Sequence, residues 1–265
     1  IYAVPLHDAP PISTTSDLTN GYVGTCVRGG LSTGGQATEN HATIEGGTVY
    51  GDVVGGVGAT GATHNTVSIS GAPVFNTDDT FGTGLYGGFG GGNVRTGNTL
   101  QMRTKGVTVR HIENFEYLHF YLPAGISNGN TVLTLTDTAG ADITGSKVGV
   151  AVQNGASPAL KKSDTVTLIH TTGGDLTTDA NNLVNNVATM GTVSTLYEFA
   201  LSTQDNNKLL ATVTKAGINP QTKSFSEGRL GGLAFVNQGA DMASGTGMER
   251  ATAAAQAGSN AFGAI

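Results

Sequence analysis

Three glycines in the segment VGGVGATGATHNTVSI (54–69) have the spacing of a dinucleotide-binding loop. Gly56, Gly58 and Gly61 form the pattern G-x-G-x-x-G, in which N–H groups at the start of a helix hold a pyrophosphate. That chemistry requires a helix directly after the loop. The segment HNTVSISG follows instead, and its alternation and β-branched residues are typical of a strand. We therefore interpret the glycines as a turn of a β-repeat and expect no cofactor.

A group of charged residues could instead act on a polysaccharide. Enzymes that cleave glycosidic bonds place carboxylates close together at the scissile bond, and on a β-helix they need Arg or Lys on the same face. The candidate group in this sequence is Asp78, Asp79, Arg95, Arg103 and Lys105. We interpret these residues as solvated loop and strand charges. A polysaccharide-acting enzyme remains the alternative, and it would be favoured if these residues lined one cleft.

Neither the histidines nor the glycine-rich segments indicate a metal site. His41 and His64 each stand beside an asparagine in a similar context, and no histidine is followed by another four residues later. The segment GGFGGGN (87–93) offers Asn93 but no aspartate for calcium. We assign no catalytic, cofactor-binding or metal-binding residue, and we predict that the protein is not an enzyme.

Aromatic residues are the remaining candidates for a binding surface, because they could contact a sugar or a partner protein. They are Tyr22, Tyr50, Phe81, Tyr86 and Phe89. Since aromatic side chains also pack well in β-structure, we favour the interpretation that they lie in the core or stack between strands. The segment FEYLHFYLP (115–123) is predicted to be a strand buried on both faces.

The composition indicates a β-rich protein with many tight turns. Glycine accounts for 41 of the 265 residues, and only 12% of the residues are charged. Threonine, which favours strands, and asparagine, which favours turns, are abundant. The net charge of −6 and the absence of basic runs argue against nucleic acid and anionic membranes as partners. Cys26 is the only cysteine, so no disulfide can form within the chain.

An internal repeat indicates how these elements are arranged. Three times, a Gly-Gly pair is followed nine or ten residues later by an asparagine that opens a strand. The pairs end at Gly30, Gly56 and Gly88, and the asparagines are Asn40, Asn65 and Asn98. Repeats of about 20–30 residues made of short strands predict a solenoid whose coils stack on one another. We predict a β-helix in which glycines supply corners with positive φ and the asparagines form a hydrogen-bonded ladder.

These patterns divide the chain into four segments. They are an irregular entry segment (1–20), β-helix repeats (21–114), a C-terminal β-region (115–215) and a helical tail (216–265). In the tail, Ser224 and Glu227 have the spacing of a capping box, which marks a helix start. The stretch MERATAAAQA (248–257) is also helical by propensity.

Several stretches resemble the passenger domain of an autotransporter, the secreted half of a type V secretion protein. The repeats with VYG (49–51) and NTVSI (65–69) are similar to passenger repeats. KKSDTVTLI (161–169) and TLYEFALSTQDNNKLLATV (195–213) resemble the end of the passenger, which assists its folding. QTKSFSEGRLGGLAFVNQGAD (221–241) resembles the junction at which a helix threads the translocator barrel, and it is the most specific of these matches.

The resemblance implies both a fold and a function. The fold would be an all-β, right-handed parallel β-helix, or β-solenoid, with a short α-helical C-terminal tail. The function would be that of a non-enzymatic stalk or adhesin scaffold with a folding segment, at the cell surface or outer membrane of a Gram-negative-type bacterium, or secreted. The implied partners are the translocator β-barrel of the same precursor, a host or bacterial surface ligand, and a second copy of the chain. The alternatives are the polysaccharide-acting enzyme and a self-assembling extracellular fibre.

Overall fold

The computed structural model of the chain describes residues 15–78, 80–153, 156, 158–180, 183, 195–218, 229, 233–240, 245 and 247–262. Strands account for 48% of the protein, and its sheets are mostly parallel. The prediction of an all-β, mainly parallel fold is therefore confirmed. The chain divides into two units, Ile1–Gly217 and Ile218–Ile265. The sheets belong to the first unit, and the described helices belong to the second.

Most of the strands are short, and sharp turns separate them. In chain order they are β1 (Thr15–Leu18), β2 (Tyr22–Val23), β3 (Val27–Arg28), β4 (Leu31–Ser32), β5 (Gln36–Thr38), β6 (His41–Ile44), β7 (Thr48–Val49), β8 (Val53–Gly58), β9 (Gly61–Thr63), β10 (Thr66–Ile69), β11 (Val74–Phe75), β12 (Gly84–Gly90), β13 (Thr99–Met102), β14 (Val107–Val109), β15 (His111–Glu113), β16 (Tyr117–Leu122), β17 (Thr131–Leu135), β18 (Ala141–Asp142), β19 (Lys147–Val152), β20 (Thr165–Thr171), β21 (Leu176–Thr177), β22 (Thr195–Gln204) and β23 (Lys208–Ile218). β1 lies inside the segment predicted to be irregular, because its backbone pairs in parallel with β6.

The largest sheet has six parallel strands in the order β1-β6-β10-β13-β16-β19. Alternate residues of a strand point to opposite faces of its sheet, and the register places apolar residues in columns across the strands. The buried columns are Ala42, Val67, Leu100, Leu118 and Val148, and Ile44, Ile69, Met102, Phe120 and Val150. Each column therefore buries a continuous apolar row under the sheet.

The chain visits its sheets in a recurring order. β6 enters the six-stranded sheet, β7 a three-stranded sheet (β11-β7-β2) and β8 a third sheet (β15-β12-β8-β3, with β4 also paired to β8). β10, β11 and β12 then enter the same three sheets in the same order. β5 and β9 pair with each other, as do β18 and β21. Each strand thus pairs with the equivalent strand of the preceding repeat.

The three repeated asparagines form the ladder that the sequence predicts. Asn65 Oδ1 accepts hydrogen bonds from Asn40 Nδ2 (2.7 Å) and from the Asn40 backbone N–H (3.0 Å). Asn98 Oδ1 accepts the equivalent bonds from Asn65, at 3.2 and 2.8 Å. All three side chains are fully buried. Since a buried amide is costly unless it is hydrogen-bonded, these bonds fix how successive repeats stack.

The Gly-Gly pairs have a different physical role from the one predicted. Glycines with positive φ do occur at corners, for example Gly47 (φ 77°) and Gly71 (φ 64°), but none of the paired glycines is among them. Instead, a Cβ at Gly56 would lie 2.7 Å from Asn65 Oδ1, and one at Gly30 would lie 2.0 Å from Asn40 Oδ1. Gly30 and Gly56 are glycine because a ladder side chain occupies the space that a Cβ would need, whereas a backbone carbonyl oxygen is the nearest atom to an added Cβ at the other paired glycines.

The last sheet of the first unit has the order β14-β17-β20-β23-β22 and changes direction at its end. β20 pairs in parallel with β17 but antiparallel with β23. Tyr197 and Phe199 of β22 are buried, and their rings stack with centroids 6.3 Å apart. The Tyr197 hydroxyl donates to Pro158 O at 2.8 Å. Large apolar side chains therefore fill this end of the sheet.

The second unit is helical where it is described. Residues 233–240 are helical, and a further helix spans Gly247–Phe262. This second helix begins close to where the sequence predicted one. The capping-box residues Ser224 and Glu227 lie outside the described residues. No helix within the described ranges is both long and apolar enough to cross a membrane.

Candidate functional site

The three glycines of the dinucleotide pattern lie in strands. Gly56 and Gly58 belong to β8, and Gly61 begins β9. The predicted turn falls at residues 59–60, where the chain bends between β8 and β9, so the prediction holds for the segment but not for Gly56, which lies inside β8 against the Asn65 side chain. The next element is β10, so the backbone does not open a helix here.

The charged residues singled out from the sequence have separate partners. Asp78 Oδ1 accepts the N–H groups of Thr80 and Phe81 in its own loop. Arg95 donates to the carbonyl oxygens of two loop residues, and Arg103 donates to a glutamine two residues away. Lys105 Nζ donates to Asn130 Oδ1 at 2.7 Å and to Gly125 O. Asp79 lies outside the described residues. The described members therefore do not share a catalytic contact.

Arg95 lines a pocket of about 250 Å³ next to β15 and β18. Its Nη2 donates to Thr144 O at 2.6 Å and to Ser146 Oγ at 3.1 Å. Asp142 also lines this pocket. Hydrogen bonds from Thr144 and the charge of Arg95 hold the pKa of Asp142 below its ordinary value. The guanidinium thus joins two segments of the fold.

Two serines stand in the G-x-S-x-G pattern of a nucleophile elbow, although the sequence analysis assigned no such residue. They are Ser32 in GLSTG and Ser127 in GISNG. An elbow requires a sharp turn from a strand into a helix, which neither segment has. Ser32 Oγ accepts the N–H of Gly35, and Ser127 Oγ donates to Asn130. Neither serine has a histidine partner within the described ranges.

The predicted core position of the aromatic residues is wrong for most of them. Tyr22 is 69% exposed and Phe81 is 78% exposed, and Tyr50 and Phe89 are also exposed. Tyr22 and Tyr50 do stack across neighbouring repeats, with ring centroids 5.2 Å apart. Only Tyr86 is partly buried. The other four aromatic residues lie at the surface, as the alternative interpretation expects, because they follow sharp turns or face outward from their strands.

Tyr86 belongs to a polar cluster that the sequence analysis missed. Its hydroxyl lies 2.6 Å from His111 Nε2, and His111 Nδ1 lies 3.4 Å from Asp137 Oδ2. Arg110 Nη2 lies 3.2 Å from the same carboxylate oxygen. Tyrosine, histidine and aspartate are thus in a row in which each polar group faces the next.

The register of the strands brings this cluster together. Gly84 of β12 pairs with His111 of β15, and a Cβ at Gly84 would lie 2.7 Å from both the His111 ring and the Tyr86 ring. The missing side chain therefore leaves the space in which the two rings meet edge to face. Tyr86 and His111 are 25 residues apart, which is the spacing between Asn40 and Asn65. The register nevertheless pairs Tyr86 with Glu113 and His111 with Gly84, so the repeat spacing in the sequence would not have found the pair.

Electrostatics limit what the Tyr86 cluster can do. Burial, together with the charges of Asp52 and Glu113, raises the pKa of Tyr86 to about 12. The phenol therefore keeps its proton at neutral pH and can donate it to His111. A tyrosine in this state is a poor nucleophile, because the ionised oxygen would be the reactive form. The arrangement is that of a hydrogen-bonded structural link between repeats.

A second group that the sequence analysis did not identify covers the outward face of β16. Leu118, Phe120 and Leu122 are buried, while the alternate residues are partly exposed. The prediction of a strand buried on both faces is therefore wrong, because the other face of the six-stranded sheet has no covering element among the described residues. We call this outward surface the aromatic face; it consists of Gln101, Arg103, Tyr117, His119 and Tyr121.

The aromatic face combines rings with cations. The ring centroids of Tyr117 and His119 are 5.9 Å apart, and those of His119 and Tyr121 are 6.3 Å apart. The Arg103 guanidinium lies 4.3 Å from the Tyr121 ring centroid, and Lys147 Nζ lies 4.9 Å from that of Tyr117. Such distances are typical of cation–π contacts.

Burial leaves the central ring of the aromatic face neutral. It lowers the pKa of His119 below the ordinary value of an imidazole. The neighbouring strand has Gly149 at the register partner of His119, where a Cβ would lie 3.1 Å from the imidazole ring. The glycine thus makes room for the ring against β19.

Comparisons with protein-family models, with curated proteins and with solved structures found no match. Among the described residues, no group of three or more His, Cys, Asp or Glu side chains is arranged to hold a metal ion.

Proposed function

We propose that the chain is a β-solenoid, the non-enzymatic stalk and folding segment of an autotransporter passenger. The observation that carries this proposal is the ladder of Asn40, Asn65 and Asn98, whose bonds join positions 25 and 33 residues apart. A buried ladder between equivalent positions of successive repeats is what stacked coils require. The recurring visits of the chain to the same three sheets support the same arrangement.

The sheet geometry suits a structural role outside the cell. Parallel pairing across six strands consumes the backbone hydrogen bonds within the sheet and leaves free edges only at its two ends. The free cysteine, Cys26, is exposed, so stability rests on stacking rather than on a disulfide within the chain. In this proposal the solenoid is right-handed, crosses a membrane unfolded and then folds by adding coils.

The end of the first unit supports the proposed folding segment. β23 pairs antiparallel with β20, so the parallel pairing ends there and β22 becomes the edge strand of the sheet. Its residues Leu209, Ala211 and Val213 are buried. A segment that is stable by itself would offer β20 and β17 as a template on which the preceding repeats could pair. In this proposal, the helical unit connects the solenoid to a translocator barrel, and the stalk presents an adhesive surface or a second copy of the chain.

The experiment is surface display in a laboratory Gram-negative host. The chain of 265 residues is fused before a translocator barrel from a characterised autotransporter, and protease is added to intact cells. We expect a protease-resistant passenger at the surface. A matched fusion without residues 195–218, which form β22 and β23, should reach the surface but be degraded. In that fusion β20 has lost its antiparallel partner β23.

A fusion with the barrel's own passenger controls for barrel assembly. The proposal is contradicted if this control is displayed while the full chain stays inaccessible to protease. It is equally contradicted if loss of residues 195–218 leaves resistance unchanged, because folding would then not depend on that segment.

A further inference from the structure

The aromatic face has the chemistry of a binding site, and we propose that it binds a linear acidic polysaccharide. The inference requires only the six-stranded sheet as described and goes beyond the stalk function. It rests on three properties of the face: a row of rings, hydrogen-bonding groups without partners among the described residues, and an arginine that has no carboxylate partner among them.

The rings lie in a row along one strand. Tyr117, His119 and Tyr121 alternate with buried residues, and adjacent centroids are 5.9 and 6.3 Å apart. Aromatic side chains with a polar tip are suited to surfaces where one part of a ligand is apolar and another is wet. Sugar rings have this character, since C–H groups cover their faces and hydroxyls surround them. A row of three rings favours an extended chain of sugars over a single one.

Polar groups on the aromatic face remain available to a ligand. Gln101 Oε1 accepts from Arg103 Nη2 at 2.8 Å, while no partner in the described part of the chain contacts the Gln101 amide nitrogen. The Tyr121 hydroxyl and both His119 ring nitrogens likewise have no hydrogen-bond partner within those residues. These groups supply donors and acceptors at the edges of the rings, where sugar hydroxyls would lie.

The charge on the face favours an acidic sugar over a neutral one. Arg103 forms no salt bridge with a carboxylate among the described residues; its guanidinium contacts the Gln101 side-chain oxygen and the Tyr121 ring. Lys147, in contrast, pairs with Glu116 at 2.9 Å. In a chain with a net charge of −6, the uncompensated guanidinium of Arg103 against the row of rings is complementary to a carboxylate or sulfate on a polysaccharide.

The test uses the full chain and three polymers of different charge. Polygalacturonate carries carboxylates, dextran sulfate carries sulfates, and dextran is neutral. Binding is measured by isothermal titration calorimetry at about 0.15 M salt, where long-range attraction between exposed charges is largely screened. We expect binding to at least one of the two acidic polymers and none to dextran. The acidic polymer that binds then shows whether the face prefers carboxylates or sulfates.

Two variants separate the face from general charge attraction. Arg103→Gln removes a cation, and Tyr121→Leu removes a ring but no charge. Each should weaken binding about tenfold, because each removes one contact with the sugar chain. Arg28→Gln is the matched control, because Arg28 carries the same charge on a different sheet, and it should bind within about twofold of the wild type.

Circular dichroism confirms that each variant is folded before binding is compared. If Tyr121→Leu unfolds, Gln101→Ala replaces it and should weaken binding severalfold, since it removes a hydrogen-bonding group at the surface. The proposal is overturned if neither acidic polymer binds, if Arg28→Gln weakens binding as much as Arg103→Gln, or if removing the ring or the amide has no effect. In the last two cases the protein would bind acidic polymers by general charge attraction and not through the aromatic face.

Discussion

Two regions of the first unit reach stability by different means. The ladder region, residues 27–102, buries Asn40, Asn65 and Asn98 completely and packs glycines against them. The closing region, residues 165–218, has large apolar side chains in the core, and among its described residues Thr171 is the only buried polar one. The first region is stacked in parallel, while the second ends in an antiparallel pair.

This contrast predicts which amino-acid substitutions each region tolerates. Hydrogen bonds between buried amides depend on geometry, and each unsatisfied group costs about 1–3 kcal/mol. Apolar cores tolerate substitutions that conserve volume, usually for less than about 1.5 kcal/mol. The ladder region should therefore be sensitive to the removal of polar atoms and to the addition of a methyl group, whereas the closing region should tolerate changes of side-chain shape.

The largest effect is expected for Asn65→Ala. It removes the two hydrogen bonds that Asn40 donates to Asn65 Oδ1 and the one that Asn65 Nδ2 donates to Ala37 O, all in a fully buried position. We expect the free energy of unfolding to fall by about 4 kcal/mol, the cost of losing these buried hydrogen bonds together, as measured by urea denaturation. Asn128→Ala is the matched control, because it removes an exposed bond to Thr165 N, and it should cost about 1 kcal/mol or less. Equal losses in the two variants would contradict a special role for the ladder.

Gly55→Ala should have the second largest effect. The new Cβ would lie 2.5 Å from Gly87 O and 2.9 Å from Asn65 Cβ. Because the carbonyl oxygen belongs to the backbone, the sheet itself has to shift, at a cost of about 3 kcal/mol. Thermal and urea unfolding measure this loss. Gly125→Ala is the control, since no atom lies within 4 Å of its added Cβ, and a midpoint lowered to the same extent in both variants would rule out the steric explanation.

Phe199→Leu tests the tolerance of the closing region. Phe199 is 4% exposed and stacks on Tyr197. Since leucine conserves most of the apolar volume, we expect a loss of about 1 kcal/mol, measured by the same urea titration. A loss as large as that of Asn65→Ala would remove the contrast between the two regions.

Lys215→Ala should have the smallest effect. Lys215 Nζ lies 3.0 Å from Glu198 Oε1, and the two side chains are 61% and 43% exposed. Ion pairs at such exposure contribute roughly 0–1 kcal/mol. The expected change in unfolding free energy is therefore about 0.5 kcal/mol or less, and it should shrink further in added salt. A salt-independent loss above that range would indicate that the pair is part of the core.

Part of the fold could be predicted from the sequence because its signals repeat. The spacing of Asn40, Asn65 and Asn98 gave the ladder, and alternation in segments such as NTVSI gave the strands. The Gly-Gly pairs were misassigned to corners because sequence alone cannot distinguish a glycine required by φ from one required by space. Only the position of Asn65 against Gly56 makes that distinction.

The surfaces were harder to predict, since they depend on register between distant strands. Tyr86 and His111 meet because Gly84, which belongs to the strand of Tyr86 and pairs with His111, leaves room for both rings. The aromatic face requires that one side of β16 be uncovered, which alternation in a single strand does not reveal. The charged residues of the first hypothesis shared only proximity in sequence, and their contacts lie apart.

The central claim is that the asparagine ladder holds the stacked repeats together. Amide hydrogen exchange followed by NMR tests it most directly, because the N–H groups of Asn40 and Asn65 donate to side-chain oxygens of the ladder. We predict that both amides exchange only through global unfolding, as buried core amides do. Exchange of either amide at the rate of an exposed loop would contradict the account.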